Sequence, residues 1–310
     1  MKLDIIVPVF NEEKVLPLFI ARTEKVCQEL LSKKYFSQYS LIFTDDGSED
    51  HTWDILMDNH KRNNNIKGIR FSRNFGHQLA LKAGLDHSNG EVVVSMDGDL
   101  QHPPELIEQL LLRWKDGYKI VNTIRKDTEG INIFKKISSR MFYFLINLVS
   151  DVKIHPGSSD FRLLDKKVVD EIKIVTDKQI FLRGLVNSLG FNKTEIGFVA
   201  DDRAEGKTKY TFKKMLKLAL SGIMSFSIKP LRIITFTGIF VSFIAFIFII
   251  YVLLARFMFN VAVQGWASIM ISILFLGGVQ LLSLGILGEY IGKMFNQQKS
   301  NKSYIVRDIL

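Results

Sequence analysis

Two long apolar runs near the C-terminus constrain the fold of this chain more than any other feature. They cover approximately residues 233–254 and 267–287, and each is close to the ~20 residues that a helix needs to cross a hydrocarbon core of ~30 Å. The alternative is a pair of buried helices in a soluble core, but neither run carries the polar stripe of an amphipathic helix. The sequence therefore predicts a transmembrane hairpin of two helices.

Basic residues flank the predicted hairpin on both sides. By the positive-inside rule this distribution places both ends in the cytoplasm, with Arg256 as a minor exception on the outer side. The N-terminus lacks the apolar segment of a signal peptide, so we expect the preceding globular part to stay in the cytoplasm. We expect a multi-pass protein of the cell's inner, or plasma, membrane. The flanking residues are Lys213, Lys214, Lys217, Lys229 and Arg232 before the hairpin and Lys293, Lys299, Lys302 and Arg307 after it.

The excess of basic residues raises the question of an anionic partner. The formal net charge is +9, which suits nucleic acid, an anionic membrane or an anionic substrate. Clustering of the cations beside the apolar runs favours lipid headgroups, and no nucleic-acid-binding motif is present. The single cysteine, Cys27, excludes an internal disulfide framework and a cysteine-based zinc cluster. The six histidines lack the H-E-x-x-H spacing of a zinc hydrolase.

An alternation of strand and helix patterns fills the first 130 residues. This rhythm predicts an α/β domain with a mostly parallel sheet and helices on both faces. Ligands bind such sheets at the carboxyl ends of the strands, which is where Asp45, Asp46, Asp97 and Asp99 lie. Strand patterns cover residues 3–10, 40–44, 66–71 and 91–96, and helical patterns cover 13–33, 52–63 and a stretch ending at 85.

Two further segments have apolar residues at helical spacing with lysines between them. Residues 131–149 fit an interfacial membrane helix, or equally an amphipathic helix packed on the globular domain. For residues 211–228 the adjacent hairpin favours the interfacial alternative. The sequence thus divides into a cytoplasmic α/β domain (1–210), a juxtamembrane helix (211–230), the hairpin (231–290) and a cytoplasmic tail (291–310).

The motif Asp97-Gly98-Asp99 is the strongest chemical signal in the chain. Two carboxylates at this spacing can share one hard divalent cation, and Mg²⁺ or Mn²⁺ is usually held by one or two carboxylates together with substrate phosphates. Alone the motif is weak, because any exposed turn can contain it. Its position after an apolar strand, with a second acidic pair after another strand, favours a metal site.

Three motifs in this order resemble glycosyltransferase family 2, which has the GT-A fold. They are Pro8-Val9-Phe10-Asn11-Glu12-Glu13, Asp45-Asp46-Gly47-Ser48 and Asp97-Gly98-Asp99-Leu100-Gln101-His102-Pro103-Pro104-Glu105. The closer resemblance is to the polyisoprenyl-phosphate glycosyltransferases, such as the bactoprenol glucosyltransferases and dolichyl-phosphate mannose synthases. It is carried by Arg125, by Ser158-Ser159-Asp160-Phe161-Arg162 and by residues 203–210, and it covers about residues 3–225.

The resemblance implies a role for each matching residue. The expected metal ligands are Asp97 and Asp99, and the expected catalytic residues are Asp160, Asp99 and Arg203. Acceptor phosphate is expected at Arg125, Arg162 and Lys209. Nucleotide-sugar binding is expected at Pro8, Phe10, Glu12, Asp45, Asp46, Asp97 and Gln101.

Several of these assignments have a plain alternative. One of Asp45 and Asp46 could instead cap an Asx-type turn, and Asp160 could act as a base or orient acceptor or sugar. Arg183 and Lys207 could be ordinary surface cations. His77 and His102 are interpreted as loop or helix-face histidines.

The resemblance implies an enzyme that transfers one hexose with inversion to undecaprenyl phosphate, most simply glucose from UDP-glucose. The alternatives are UDP-GlcNAc, UDP-galactose or GDP-mannose as donor, a different glycan or lipid acceptor, or a non-enzymatic scaffold. The implied partners are a nucleotide sugar, a polyisoprenyl phosphate, Mg²⁺ or Mn²⁺ and the membrane, with a homo-oligomer compatible and nucleic acid excluded.

Overall fold

The computed structural model describes residues 1–125, 158–175, 180–199, 229–259, 265–298 and 303–310. The chain divides into two compact units, which are described separately below. The first contains Met1–Phe144, Val152–Thr211 and Asn301–Leu310, and the second contains Leu145–Asp151 and Phe212–Ser300. The amphipathic segments at 131–149 and 211–228, together with Arg203, Lys207 and Lys209, lie outside the described residues.

An eight-stranded sheet forms the centre of the first unit, in the order β7-β5-β6-β4-β1-β2-β3-β8. Strands β1 to β4 run parallel to one another, as do β5 and β7. Strand β6 is antiparallel to both of its neighbours, and β8 is antiparallel to β3. The strands are β1 (Lys2–Val9), β2 (Gln38–Asp45), β3 (Ile66–Phe71), β4 (Val92–Ser95), β5 (Ile120–Arg125), β6 (Ser158–Asp165), β7 (Lys193–Phe198) and β8 (Val306–Ile309).

Helices cover both faces of this sheet because successive strand residues point to opposite sides. On one face Ile5 packs in a core with Phe19, and on the other Ile6 packs in a second core with Leu79. The predicted α/β fold with helices on both faces is confirmed, and its sheet is mixed rather than wholly parallel. The helices are α1 (Leu16–Ser32), α2 (Thr52–Arg62), α3 (His77–His87), α4 (Ile107–Lys115), α5 (Lys166–Ile174) and α6 (Leu182–Ser188).

The C-terminal residues return to the sheet as its last strand, β8. The Leu310 amide donates to the Gly68 carbonyl at 2.8 Å, and the Ser72 amide donates to the Ile305 carbonyl at 3.0 Å. Tyr304 stacks on Phe71 with ring centroids 5.0 Å apart. The sequence analysis grouped these residues with a cytoplasmic tail, since four residues are too few to show a strand period.

Two long helices make up the described part of the second unit, α7 (Lys229–Phe259) and α8 (Trp266–Gln298). They contact each other, and large apolar side chains such as Phe240 and Leu284 are exposed along them. Within the described residues, Phe275–Gly292 of α8 is long and apolar enough to cross a membrane.

Candidate active site

The site lies where β1 and β4 run side by side in the sheet. The connection from β3 to β4 returns past β2 to the far side of β1, so the chain reverses its direction of winding between these strands. Open α/β sheets bind their ligands in the crevice at such a switch point, beyond the carboxyl ends of the strands. The loops that follow β1, β2 and β4 are the loops that the sequence analysis selected.

The acidic loop 97–101 follows β4 and leaves one carboxylate oxygen without a hydrogen bond, although His77 lies 3.5 Å from it. Oδ1 of Asp97 is buried and has no hydrogen-bond partner among the described residues, although the side chain as a whole is 33% exposed. The Gln101 amide donates to Oδ1 of Asp99 at 3.1 Å, and Leu100 between them adopts a left-handed φ of 63°. A buried carboxylate oxygen without a partner is costly unless a ligand satisfies it.

Gln101 and Arg125 meet at this loop. Arg125, at the end of β5, donates from Nη1 to Oε1 of Gln101 at 3.4 Å. The two residues were predicted to bind nucleotide sugar and phosphate, respectively, and the fold brings them together beside the acidic loop.

His102 ties the acidic loop to strand β6. Its Nδ1 accepts a hydrogen bond from the Asp97 amide at 2.9 Å, and its Nε2 lies 2.8 Å from Oγ of Ser159. Because a backbone amide occupies Nδ1, the ring proton is on Nε2 and is donated to Ser159. The ring also stacks on Phe161, with centroids 5.2 Å apart. The sequence analysis interpreted His102 as an ordinary loop histidine, because no local pattern reveals a partner 57 residues away.

Asp160 lies at the centre of a buried cluster of charges. It is 3% exposed, and Arg183 donates from Nε and Nη2 to its two oxygens, each at 2.9 Å. Arg162 donates from Nη2 to Oδ1 at 2.9 Å. Burial opposes ionisation, but Arg183, His77 and Arg162 outweigh it and hold the pKa of Asp160 well below its ordinary value. Arg183, which the sequence analysis treated as a possible surface cation, is therefore part of the site.

His77, at the start of α3, connects this cluster to the acidic loop. Its Nε2 lies 3.4 Å from Oδ2 of Asp160 and 3.5 Å from Oδ1 of Asp97. The neighbouring Gln78 donates to Oδ2 of Asp160 at 3.2 Å and accepts from the Leu182 amide at 3.1 Å. The side chain of His77 is 45% exposed; desolvation of the ring favours its neutral form, but the two carboxylates outweigh this and raise its pKa. Asp97 and Asp160 thus both lie beside the same nitrogen, Nε2, of one imidazole.

The aspartates that follow β2 are buried and bonded to the backbone. Asp45 accepts from the Ser48 amide at 2.8 Å and lies 3.4 Å from Nε of Arg70. Asp46 accepts from the Phe75 amide at 2.7 Å and the Gly76 amide at 2.9 Å. Burial raises the pKa of both carboxyls. Both therefore organise loops, while Oδ2 of Asp45 has no hydrogen-bond partner within the described part of the chain.

The loop that follows β1 is bonded to the loop that follows β2. The Asn11 amide donates to Oγ of Ser48 at 3.0 Å, and the Glu12 amide donates to Oγ1 of Thr52 at 2.9 Å. Of the predicted nucleotide-binding residues here, Pro8 is buried inside β1, Glu12 is half-buried and Phe10 is 42% exposed. The two loops form one rigid edge beside the acidic loop.

A comparison with known protein families identifies the chain. Residues 4–173 match the model described as glycosyl transferase family 2, and residues 229–294 match the model described as the GtrB C-terminal hairpin. The chain belongs to glycosyltransferase family 2. Its membership confirms the resemblance drawn from the sequence motifs, and the hairpin match together with the apolar helix α8 supports association with a membrane.

Relatives within glycosyltransferase family 2 match along the full length of the chain. The uncharacterized glycosyltransferase YkcC of Bacillus subtilis is 41% identical, over 98% of this chain and 92% of its own. The uncharacterized glycosyltransferase sll0501 of Synechocystis is 39% identical over 100% and 96%. The bactoprenol glucosyl transferase of Shigella phage SfV is 38% identical over 99% of each chain. The similarity therefore includes the hairpin as well as the catalytic domain.

Proposed function

We propose that this glycosyltransferase moves one glucose from UDP-glucose to undecaprenyl phosphate, with inversion at the anomeric carbon. An oxygen of the acceptor phosphate forms the new bond to that carbon, and the bond to the nucleoside diphosphate breaks. The observation that carries the proposal is the continuous set of contacts from Asp97 through His77 to Asp160 and Arg183, all within 3.5 Å. It puts carboxylates suited to a donor complex next to cations suited to an acceptor phosphate.

The full-length similarity to a phage bactoprenol glucosyl transferase supports the choice of acceptor and sugar. A match restricted to the catalytic domain would support only the transfer chemistry. This match also covers the hairpin, which is the part of the chain suited to a lipid acceptor.

Asp97 and Asp99 are the residues that would hold Mg²⁺ or Mn²⁺. No cluster of three or more acidic, histidine or cysteine ligands exists among the described residues, which suits a cation completed by substrate phosphates. The unpartnered Oδ1 of Asp97 fits a cation ligand. Such a cation neutralises charge on the leaving diphosphate.

The nucleotide would lie against the rigid edge formed by the loops after β1 and β2. Phe10 offers the exposed ring there, and Oδ2 of Asp45 offers an acceptor for a neutral N–H or O–H donor of the nucleoside. Gln101 contacts Arg125. Pro8 lies within β1, the Glu12 amide bonds to Thr52 and Asp46 accepts the Phe75 and Gly76 amides, so these three residues would act by holding the loops in place.

The acceptor phosphate is anionic at neutral pH and needs less help from a base than a sugar hydroxyl would. Arg125 is available at the edge of the acidic loop, and Arg203 and Lys209 remain predicted contributors. The hairpin would hold the catalytic domain at the cytoplasmic leaflet with both chain ends inside, where a lipid phosphate is presented. A homo-oligomer built through the hairpin is compatible with this arrangement.

The test is transfer of labelled sugar from separate UDP- and GDP-sugars to undecaprenyl phosphate by the full-length protein in detergent. We expect a chloroform-soluble product from UDP-glucose that requires Mg²⁺ or Mn²⁺ and disappears with EDTA. Asp99→Ala is the inactive control, and a scaffold would be indifferent to it. Lipid product from another donor would correct the sugar. Its absence with every donor, with UDP binding intact, would overturn the proposal.

A further inference from the structure

The fork between Arg183 and Asp160 contributes to the proposed function only as part of a set of contacts, and its own task is still to be assigned. Nε and Nη2 of Arg183 each donate to a different oxygen of Asp160 at 2.9 Å. This is the bidentate geometry that fixes both the position and the plane of a guanidinium. The side chain of Arg183 is nevertheless 38% exposed, whereas that of Asp160 is 4% exposed. A buried carboxylate therefore holds a partly exposed cation at the surface of the site.

The surroundings of Asp160 argue against its acting as a general base. Oδ1 receives hydrogen bonds from Arg183 and Arg162, both at 2.9 Å. Oδ2 receives hydrogen bonds from Arg183 and Gln78, and His77 lies 3.4 Å from it. A base needs a lone pair that faces the proton it removes, and here both oxygens point at protein donors. The lowered pKa of this carboxyl agrees with that geometry.

The two arginines around Asp160 are not equivalent. The side chain of Arg162 is 5% exposed, and its Nη2 is shared between Asp160 and the Ser159 carbonyl. Arg162 therefore supports the Asp160 carboxylate from within the protein interior. Two guanidinium groups against one carboxylate leave a net positive charge in the cluster, and Arg183 is the member through which that charge reaches the solvent.

We propose that Arg183 binds the phosphate of the acceptor and that Asp160 is the positioning residue that orients it. The inference rests on the proposed function and names the residue that recognises its substrate, a phosphate monoester. Nε and Nη2 of Arg183 face Asp160, so the phosphate oxygens would accept from the remaining N–H groups of the guanidinium, on Nη1 and on the outer side of Nη2. His77 lies between Asp160 and Asp97, so a phosphate at Arg183 is near the donor side of the site.

The first experiment measures KM separately for donor and acceptor, with undecaprenyl phosphate as the acceptor probe. For Arg183→Gln we expect acceptor KM to rise at least about tenfold, the loss of a charge-assisted hydrogen bond, while donor KM stays within about twofold. Arg183→Lys keeps the charge without the fork, so its acceptor KM should lie between those of wild type and Arg183→Gln.

The matched control is Arg22→Gln on helix α1. Arg22 forms a fork of the same geometry with Glu105, with Nε and Nη2 each 2.9 Å from a carboxylate oxygen, and it has no part in the proposed site. We expect both KM values to be unchanged. Inorganic phosphate as a competitor separates headgroup recognition from lipid recognition: it should compete with the acceptor in wild type and lose that effect in Arg183→Gln.

The second experiment combines Arg183→Gln with Asp160→Asn. If Asp160 acts through Arg183, Asp160→Asn alone raises acceptor KM, and the double variant is hardly worse than either single one. If Asp160 is a base, Asp160→Asn lowers kcat at unchanged acceptor KM, and the two effects multiply. UDP titration and thermal unfolding of each variant separate these outcomes from a failure to fold.

The possible results distinguish the inference from the proposed function. Wild-type transfer to undecaprenyl phosphate together with an unchanged acceptor KM in Arg183→Gln would overturn the inference alone. No transfer by wild type would overturn the proposed function first. An effect of Arg183→Gln on donor KM alone would move Arg183 to the nucleotide sugar and would also overturn the inference.

Discussion

The loops that follow β2 and β4 have similar sequences and different environments. Asp45-Asp46-Gly47 and Asp97-Gly98-Asp99 each put two aspartates and a glycine at the carboxyl end of a buried strand, Asp45 being the last residue of β2. In the first loop both carboxylates are buried and accept backbone amides. In the second, Asp97 is partly exposed and one of its oxygens has no hydrogen-bond partner in the described structure. Asp46 in the first loop holds neighbouring backbone, whereas Asp97 in the second loop, like Oδ2 of Asp45, keeps an oxygen without a hydrogen-bond partner among the described residues that a ligand can use.

The largest expected effect comes from the second loop. Asp99→Asn keeps the shape of the side chain and removes the charge that a divalent cation needs. We expect turnover to fall at least about a hundredfold with little change in the thermal unfolding midpoint, because Asp99 has one local hydrogen bond. Lipid-transfer assays and calorimetry on the same preparation measure both quantities. A large loss of stability with retained turnover would show that Asp99 has a structural role and does not serve as a ligand-binding residue.

The opposite result is expected from Asp46→Ala in the first loop. This substitution leaves the Phe75 and Gly76 amides without their acceptor, at a cost of about 2–4 kcal/mol in the free energy of unfolding. Turnover at low temperature should stay within about tenfold of wild type, since the folded fraction keeps Asp97 and Asp99. Denaturant unfolding of the purified protein tests the predicted loss in the free energy of unfolding. An unchanged midpoint would show that Asp46 has no scaffold role.

The glycine in each loop, Gly47 and Gly98, gives a smaller expected difference in stability between the two loops. Gly47 has a φ of +74°, and a Cβ there would lie 2.5 Å from the Arg73 carbonyl carbon. The nearest atoms to a Cβ on Gly98 would be the Cγ1 atoms of Val7 and Val9, each at 3.2 Å, with the Pro8 carbonyl oxygen at 3.8 Å. We expect Gly47→Ala to cost about 1–3 kcal/mol of stability and Gly98→Ala about 1 kcal/mol or less. Equal costs in denaturant unfolding would contradict this difference.

A further effect concerns Asp165, a carboxylate held by a cation and an indole as well as by the Lys167 amide. Asp165 accepts from Nζ of Lys119 at 2.9 Å and from Nε1 of Trp114 at 2.7 Å. Burial opposes ionisation, but these donors lower the pKa of Asp165. The contribution of Asp165 to the free energy of unfolding is therefore fully present above its pKa in the unfolded chain, near ~4. That contribution is lost as the pH falls through its lower pKa in the folded protein.

Asp165→Asn should consequently reduce stability by about 1–2 kcal/mol at pH 7, and the difference from wild type should shrink as the pH falls below about 4. Unfolding measured across this pH range is the test. Burial raises the pKa values of Asp45 and Asp46, so we expect the reverse trend for them. Their contribution to stability is lost as the pH rises. A pH-independent difference for Asp165→Asn would mean that its packing, not its charge, matters.

Local patterns predicted most of the framework. The strand at 66–71 matches the observed bounds, and the helix predicted at 52–63 ends one residue earlier, at Arg62. The acidic motif and the apolar C-terminal runs were also found from sequence, and the family match confirmed what the motifs indicated. These features depend on residue period and on short spacings, which a sequence displays directly.

Long-range contacts decided the rest. Arg183 reaches Asp160 across 23 positions, and His102 reaches Ser159 across 57. The strand at 306–309 pairs with a strand more than two hundred residues earlier. No local period encodes such partners.

The sequence by itself determined the first four strands, the helices that follow the first three of them, the apolar spans, and the carboxylates at the strand ends. Only the tertiary structure separated Asp46, saturated by backbone amides, from Asp97, which keeps an oxygen without a hydrogen-bond partner among the described residues. The physical reason is that the role of an ionisable group depends on its burial and on its hydrogen-bond partners. Both are properties of the folded surroundings, so two nearly identical motifs can have different roles.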